Sequence, residues 1–183
     1  VLPVISNIIV TRKLNEEEIK IHNFKTFSPI ANTKNLLYYY RKLPDNRILF
    51  GTRGDLTGSD QSNLAMSKKM EKFLKDIFPN WSNVKIDYNW RGLIALSQKL
   101  TPSIGKIENE EIYYGFGYNG VGVSAAPWTG KQLSKLVFSS NSKDIDISDI
   151  YKGLPKKFIF PQLRIFYLRL AVWFYTIKDK LNI

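Results

Sequence analysis

No cysteine occurs among the 183 residues, which excludes disulfides, thiolate metal sites and cysteine nucleophiles. A single histidine, His22, lies in a mixed Lys-Ile-His-Asn stretch, so neither a metal site nor a catalytic triad can be built on it. Acids are scarce as well, 16 Asp and Glu against 27 Lys and Arg, for a formal charge of +11. The clustered carboxylates Glu16-Glu17-Glu18 and Glu110-Glu111 read as solvent-facing groups at loop or element edges. No internal repeat, low-complexity tract or signal peptide is recognisable, and with the missing cysteines this favours a reducing, cytoplasmic compartment. Long apolar runs are lacking too. Arg169 interrupts the most apolar segment and only eight residues separate it from Lys178, short of the ~20 that a membrane-spanning helix needs. The chain starts at Val1 with a strand-like run and reads as a piece of something longer.

What is present is enough to fold. Hydrophobic residues make up 44% and aromatics 14%, outside the composition of disordered chains, and the length suits one domain. Seven Lys or Arg and one acid between Lys152 and Ile183 carry +6 of the net charge. Such a balance fits nucleic acid, an anionic membrane surface or a solvated basic face. Without an RNP, helix-turn-helix or zinc-finger pattern, nucleic acid is not expected. Leu2 to Thr11 is apolar and β-branched, a predicted strand. Asn35 to Lys42 and Arg47 to Thr52 flank Leu43-Pro44-Asp45-Asn46, a turn sequence that predicts a β-hairpin. Ser59 or Asp60 is positioned to cap a helix ending at Phe78-Pro79, with Met66, Met70, Phe73, Leu74 and Ile77 on its core face. Val84, Ile86, Tyr88 and Trp90 alternate with Lys85, Asp87, Asn89 and Arg91, the period of a half-buried strand. In that reading Trp90 fills core and Arg91 is solvated. Antiparallel strands with a helix between them predict an α+β domain.

The stretch Ile112 to Val123, IYYGFGYNGVGV, contains a literal G-x-G-x-x-G at Gly115, Gly117 and Gly120. A dinucleotide turn needs a strand before it, a helix after it and then a second parallel strand. A strand (Glu111 to Tyr114) and a helix (Ser124 to Phe138) are predicted. The next segment, Ser139 to Asp144, is polar and turn-like, with no buried strand expected behind it, so the Rossmann reading fails. Glycines still let the backbone approach a ligand and take positive φ. Free N–H groups at a helix start favour a partner carrying negative charge.

Tyr38 to Gly54, YYYRKLPDNRILFGTRG, resembles the hairpin of FAD-dependent oxidoreductases of the D-amino acid oxidase superfamily. Phe78-Pro79, Trp90-Arg91-Gly92 and Thr101-Pro102-Ser103-Ile104-Gly105 are similar to further motifs of that family in the same order. Tyr113 to Leu133, YYGFGYNGVGVSAAPWTGKQL, resembles its last flavin-binding segment, and the aromatic carboxy end after Phe160-Pro161 matches as well. The resemblance, with γ-glutamylputrescine oxidoreductase-like members nearest, implies an α+β fold. It would comprise an antiparallel-sheet substrate-binding domain over 1–105 and a C-terminal strand-turn-helix over 106–140 returning to the FAD-binding domain. A polar linker and amphipathic helix would occupy 141–183. It also implies FAD as cofactor, with Gly117, Tyr118, Asn119, Gly120, Val121, Gly122 and Val123 bordering the flavin ring. Lacking cysteine, the chain cannot attach flavin through sulfur.

The reaction so implied is oxidation of an amine or amino acid, with hydride passing to the flavin and water hydrolysing the imine. Tyr38, Tyr40 and Arg53 are then substrate-binding candidates on the inner face of the sheet; no catalytic residue is assigned and no metal is expected. Family members acting on α-amino acids hold the carboxylate with arginine after the W-x-G or inside the glycine turn. Here Leu93, Ile94 and Ala95 follow Gly92 and the turn has no arginine, which points towards an amine or γ-glutamyl-amine. The chain resembles only the carboxy-terminal half, as a cloned segment, a proteolytic remnant or one chain of a split enzyme. It is therefore expected to need an N-terminal Rossmann segment, in the same or a separate chain, and to be inactive alone. A different class of reading is a non-catalytic basic module on a membrane surface or nucleic acid. In the tail, Phe166, Leu170, Trp173, Phe174 and Ile177 share a helical face. Docking of that face onto the parent domain and peripheral membrane contact both fit it, and the resemblance favours docking.

Overall fold

The computed structural model describes residues 1–138 and 147–181; the polar segment Ser139 to Asp144 lies outside them. The first strand, β1 (Leu2–Thr11), is followed by a short helix α1 (Glu16–Ile21), then β2 (Ile30–Ala31), β3 (Tyr38–Lys42) and β4 (Ile48–Asp55). Helix α2 (Asp60–Ile77) leads to β5 (Ile86–Leu96). These strands form one sheet in the order β2-β3-β4-β1-β5, antiparallel wherever β1, β2, β3 and β4 pair. The predicted hairpin is present: Leu43 N–H donates to Arg47 O at 2.8 Å across the turn, with Asn46 at φ +65. Asparagine tolerates this left-handed conformation better than most residues.

Helix α2 begins where the sequence offers a cap, the Ser59 hydroxyl accepting from Ser62 N–H at 3.1 Å. Its Met66, Met70 and Leu74 are buried against Ile9, Ile48 and Phe50 of the sheet, each burial contributing about 1.5–3 kcal/mol. Trp81 closes this core, 1% exposed, and its indole N–H donates to Glu18 O at 2.8 Å. Glu18 is not simply solvent-facing. It completes a capping box with Asn15 and pairs with Arg12 at 2.6 Å, which holds its carboxyl below the ordinary range, burial opposing. His22 packs edge-on against Trp81 and Phe78, as a core aromatic.

The strand expectation for β5 holds in extent but not in burial. Trp90 is 45% exposed, whereas Arg91 reaches Asp60 Oδ1 at 3.0 Å and Ser59 O at 3.3 Å. β5 is an edge strand, so alternation there does not guarantee a covering layer.

The remaining elements are β6 (Ser103–Lys106), β7 (Tyr113–Phe116), α3 (Gly122–Phe138) and α4 (Arg164–Leu181). The chain divides into two compact units. One is Val4–Leu93 with α4 from Phe166 onwards; the other is Val1–Pro3 with Ile94–Ile165. The division falls inside β5, and α4 from Phe166 onwards belongs with the sheet. In the second unit β6 and β7 form an antiparallel pair. Beyond α3, Ile147 is buried beside Ile104, and Lys152 forms an isolated parallel bridge to Ile104. The segment after α3 is thus less bare than expected, although no strand forms there among the described residues.

Helix α4 is anchored to the sheet unit, but not by the face that its apolar pattern suggests. Asp179 Oδ1 accepts from Asn35 N–H at 2.8 Å and from its Nδ2 at 2.9 Å, and Oδ2 accepts from Leu36 N–H at 2.9 Å. Leu168 is buried, while Phe166, Leu170, Trp173 and Phe174 are exposed. Apolar residues occupy both sides of this helix, and the anchoring carboxylate decides which one turns inward.

Candidate cofactor site

The glycine stretch is built on the β6–β7 pair, in register Ser103↔Phe116, Ile104↔Gly115, Gly105↔Tyr114 and Lys106↔Tyr113. Its three motif glycines do different things. A Cβ on Gly115 would lie 2.3 Å from Thr129 Cγ2 and 3.0 Å from Leu133 Cδ1, so this glycine lets α3 pack directly on β7. Gly117, at φ +76, takes the chain out of the strand beside Ser97, whose Cβ is 3.6 Å from an ideal Gly117 Cβ. Gly120 is the second central residue of a tight turn closed by Val121 N–H donating to Tyr118 O at 2.9 Å. Asn119 and Gly120 have φ +53 and +96, the double positive φ of a type I′ turn.

Side chains brace the turn from behind. Asn119 Oδ1 accepts from Ser97 N–H at 2.8 Å, and Asn119 Nδ2 donates to Gly117 O. The Tyr118 hydroxyl donates to Gly115 O at 3.2 Å. Sequence reasoning misses Ser97, and no local motif marks it; only the pairing of a turn asparagine with a buried serine reveals it.

Beyond the turn, no side chain among the described residues caps the leading amides of α3. Val121 O accepts from Ser124 N–H and Ala125 N–H, whereas the N–H groups of Gly122 and Val123 have no hydrogen-bond partner among the described residues. The Val123 side chain is 97% exposed. Two unpaired donors at the positive end of a 17-residue helix, reached through exposed glycine backbone, suit an anionic or carbonyl-bearing planar partner.

The other expected residues lie in the sheet unit, and the strand register separates them. Tyr38 pairs with Thr52 and Tyr40 with Phe50; both rings stack on Phe50, and Tyr38 also meets Phe73 of α2 at 4.6 Å. They therefore occupy the α2 side of the sheet. Burial, with the Asp179 charge adding to it, pushes the Tyr38 phenol up to about 12. Arg53 pairs with Ser6, one residue out of phase with Asn7↔Thr52, and so belongs by register to the opposite face. Tyr39 is on that face too. Its hydroxyl lies 2.9 Å from Ser6 Oγ, and its ring covers Gly51, where a Cβ would fall 2.2 Å from Tyr39 Cζ. Despite that register, Arg53 and Tyr38 line one cleft together with Phe73 and Asp179, while Tyr38 and Tyr40 line a second cleft that Arg53 does not reach. In Tyr38-Tyr39-Tyr40 the middle ring must face the other way, a signal that sequence alone contained.

Known proteins carry related sequences and the same fold. The family profile described as FAD dependent oxidoreductase (DAO) matches residues 1–136. The chain belongs to this FAD-dependent oxidoreductase family. Among its curated relatives are a probable oxidoreductase OrdL of Haemophilus influenzae and the gamma-glutamylputrescine oxidoreductase of Escherichia coli. The first is 30% identical over 98% of this chain and 39% of the relative. The second is 29% identical over all of this chain and 41% of the relative. The chain therefore spans about two fifths of the length of these relatives. Among solved structures, L-proline dehydrogenase from P. horikoshii has a TM-score of 0.61 at 21% identity, covering 82% of this chain and 39% of that one. Glycine oxidase from Geobacillus kaustophilus has 0.60 at 15%, covering 87% and 40%.

The residues present fit the cofactor that the FAD-dependent family implies. The turn is held open by positive φ at Gly117, Asn119 and Gly120, and the amides that follow it are unpaired among the described residues. No side chain of the described residues occupies those donors, so a flavin edge could be received without displacing a native bond.

Proposed function

We propose that this chain provides the flavin-ring side of an FAD-dependent oxidoreductase acting on an amine or amino-acid-like substrate. The observation that carries this reading is the pair of amides at Gly122 and Val123, unpaired among the described residues and presented by a type I′ turn at the start of α3. When bound, FAD supplies the two-electron acceptor that no side chain can provide. Gly117 to Val123 border it in this reading. The Gly122 and Val123 amides, with the helix N-terminus, present fixed positive dipoles that stabilise negative charge on the bound ring. Asn119, locked to Ser97 and Gly117, keeps those dipoles oriented before any charge develops.

On the substrate side we assign Arg53 and Tyr38, which line one cleft. Tyr40, stacked on Phe50 and outside that cleft, is left a supporting part. The absence of arginine in the glycine turn favours an amine or γ-glutamyl-amine over an α-amino acid. The position of Arg91 supports this, since its guanidinium is already held by Asp60 and Ser59 O. The gamma-glutamylputrescine oxidoreductase among the relatives agrees with that substrate class.

The test is anaerobic reduction of the flavin in a protein that joins this chain to a Rossmann-type FAD-binding segment. A γ-glutamyl-amine should bleach the flavin faster than α-amino acids of similar size. Faster bleaching by α-amino acids would reverse the substrate assignment.

A further inference from the structure

Helix α4 has two sides with different fates. Asp179, its only acid, is consumed by the backbone amides of Asn35 and Leu36, so no carboxylate remains for the outward side. That side carries Phe166, Leu170, Trp173 and Ile177 in one row at helical spacing, all exposed, Trp173 by 63% and Phe166 by 55%. Phe174 and Leu181 widen the row and are exposed as well. Contiguous apolar surface of this kind marks an interaction site.

Cations border the row. By helical phase Arg169 and Lys180 lie along one edge and Lys178 along the other, the Lys178 Nζ standing 6.0 Å from the Phe174 ring centroid. None of the three pairs with a carboxylate among the described residues. Self-association through this row would bring like charges together, whereas an anionic partner answers both borders. No helix among the described residues is long and apolar enough to cross a membrane, so the row suits a surface and not a span. An aromatic row with flanking Lys and Arg matches the headgroup–acyl boundary of an anionic bilayer. The long cationic side chains can reach the phosphates while their stems stay against the apolar row.

We propose that α4 seats this chain on an anionic phospholipid surface, with the Phe166–Leu170–Trp173–Ile177 row in the interface and Arg169, Lys178 and Lys180 against the lipid phosphates. The helix lies in the plane of the membrane and is tied to its own domain through Asp179. This inference does not depend on the flavin reading.

Flotation with vesicles tests it, using phosphatidylcholine alone and phosphatidylcholine mixed with phosphatidylglycerol. Both the 183-residue chain and its fusion to a Rossmann-type segment should float with the anionic vesicles only. High salt should release them. Arg169→Gln and Lys180→Gln should each lower partitioning about fivefold, and Trp173→Glu should abolish it without changing the thermal unfolding midpoint. Equal flotation with neutral vesicles, or none with either, overturns the proposal. It is equally overturned if the fusion stays in solution, which assigns the row to a contact within the longer protein. A dimer in sedimentation that Trp173→Glu dissociates would assign it instead to a second copy.

Discussion

Replacing Gly120 by valine puts the backbone of the turn under direct test. Its φ of +96 lies in a region that β-branched residues rarely adopt, and the neighbouring Asn119 is already at +53. Both positions are required by the short closure from Val121 N–H to Tyr118 O, 2.9 Å long, so the chain cannot relax at one without opening the other. Holding a valine there costs about 1–3 kcal/mol. Gly130, further along α3, provides the control. It is exposed, it has ordinary helical φ, and an added Cβ meets nothing within 4 Å. Gly130→Ala should therefore stabilise by about 0.5–1 kcal/mol through helix propensity. Two glycine substitutions in one strand-turn-helix segment should thus move stability in opposite directions, by about 1.5–4 kcal/mol in total. Urea denaturation of the 183-residue chain, followed by tryptophan fluorescence, measures both. Equal stability of Gly120→Val and the parent, or destabilisation by Gly130→Ala, would refute the assignment of strain to the turn and openness to the helix.

The buried Thr129 hydroxyl, 1% exposed and without a hydrogen-bond partner among the described residues, makes Thr129→Val stabilising by about 1 kcal/mol; a loss of stability in the same denaturation experiment would mean that the hydroxyl is bonded. Burial works against ionisation of Asp179, but the Leu36 and Asn35 donors, with Lys34 nearby, outweigh it and hold the carboxyl below its ordinary value. Because the folded pKa is depressed, this anchor contributes above the unfolded value of about 3.9 and is lost as pH falls through the folded one. Hydrogen exchange at the Asn35 and Leu36 amides should accelerate relative to intrinsic rates in that acid window. Asp179→Ala should show the faster exchange already at neutral pH, and unchanged protection in it would remove Asp179 from the anchoring role.

Much of the fold was legible because its signals are local. Ser59 sits one residue before α2 and caps it; apolar and β-branched residues run through β1; the proline and Asx residues after Lys42 turn the hairpin. The glycine turn was legible as a turn through its residue types, and its positive φ values appear at Gly117 and Gly120. What escaped is non-local. Whether Trp90 is covered depends on β5 standing at the edge of the sheet, which no window around Trp90 reveals. The cleft that Arg53 shares with Tyr38 also draws on Asp179 of α4, more than 120 residues further along the chain. The inward side of α4 was set by one carboxylate finding two loop amides, against an apolar pattern that pointed the other way. The contact of Asn119 with Ser97 likewise joins a turn to a residue from before β6.

Flavin content is the most direct measure of the central claim, that the turn from Gly117 to Val123 holds the ring of FAD. This chain should be joined to a Rossmann-type FAD-binding segment, purified, and examined by visible absorption, with Gly120→Val prepared in parallel. A yellow protein with oxidised-flavin bands, whose flavin content falls in Gly120→Val while the protein remains folded, is the predicted result. A joined protein that stays colourless after reconstitution with FAD, or a Gly120→Val variant with full flavin content, would contradict it.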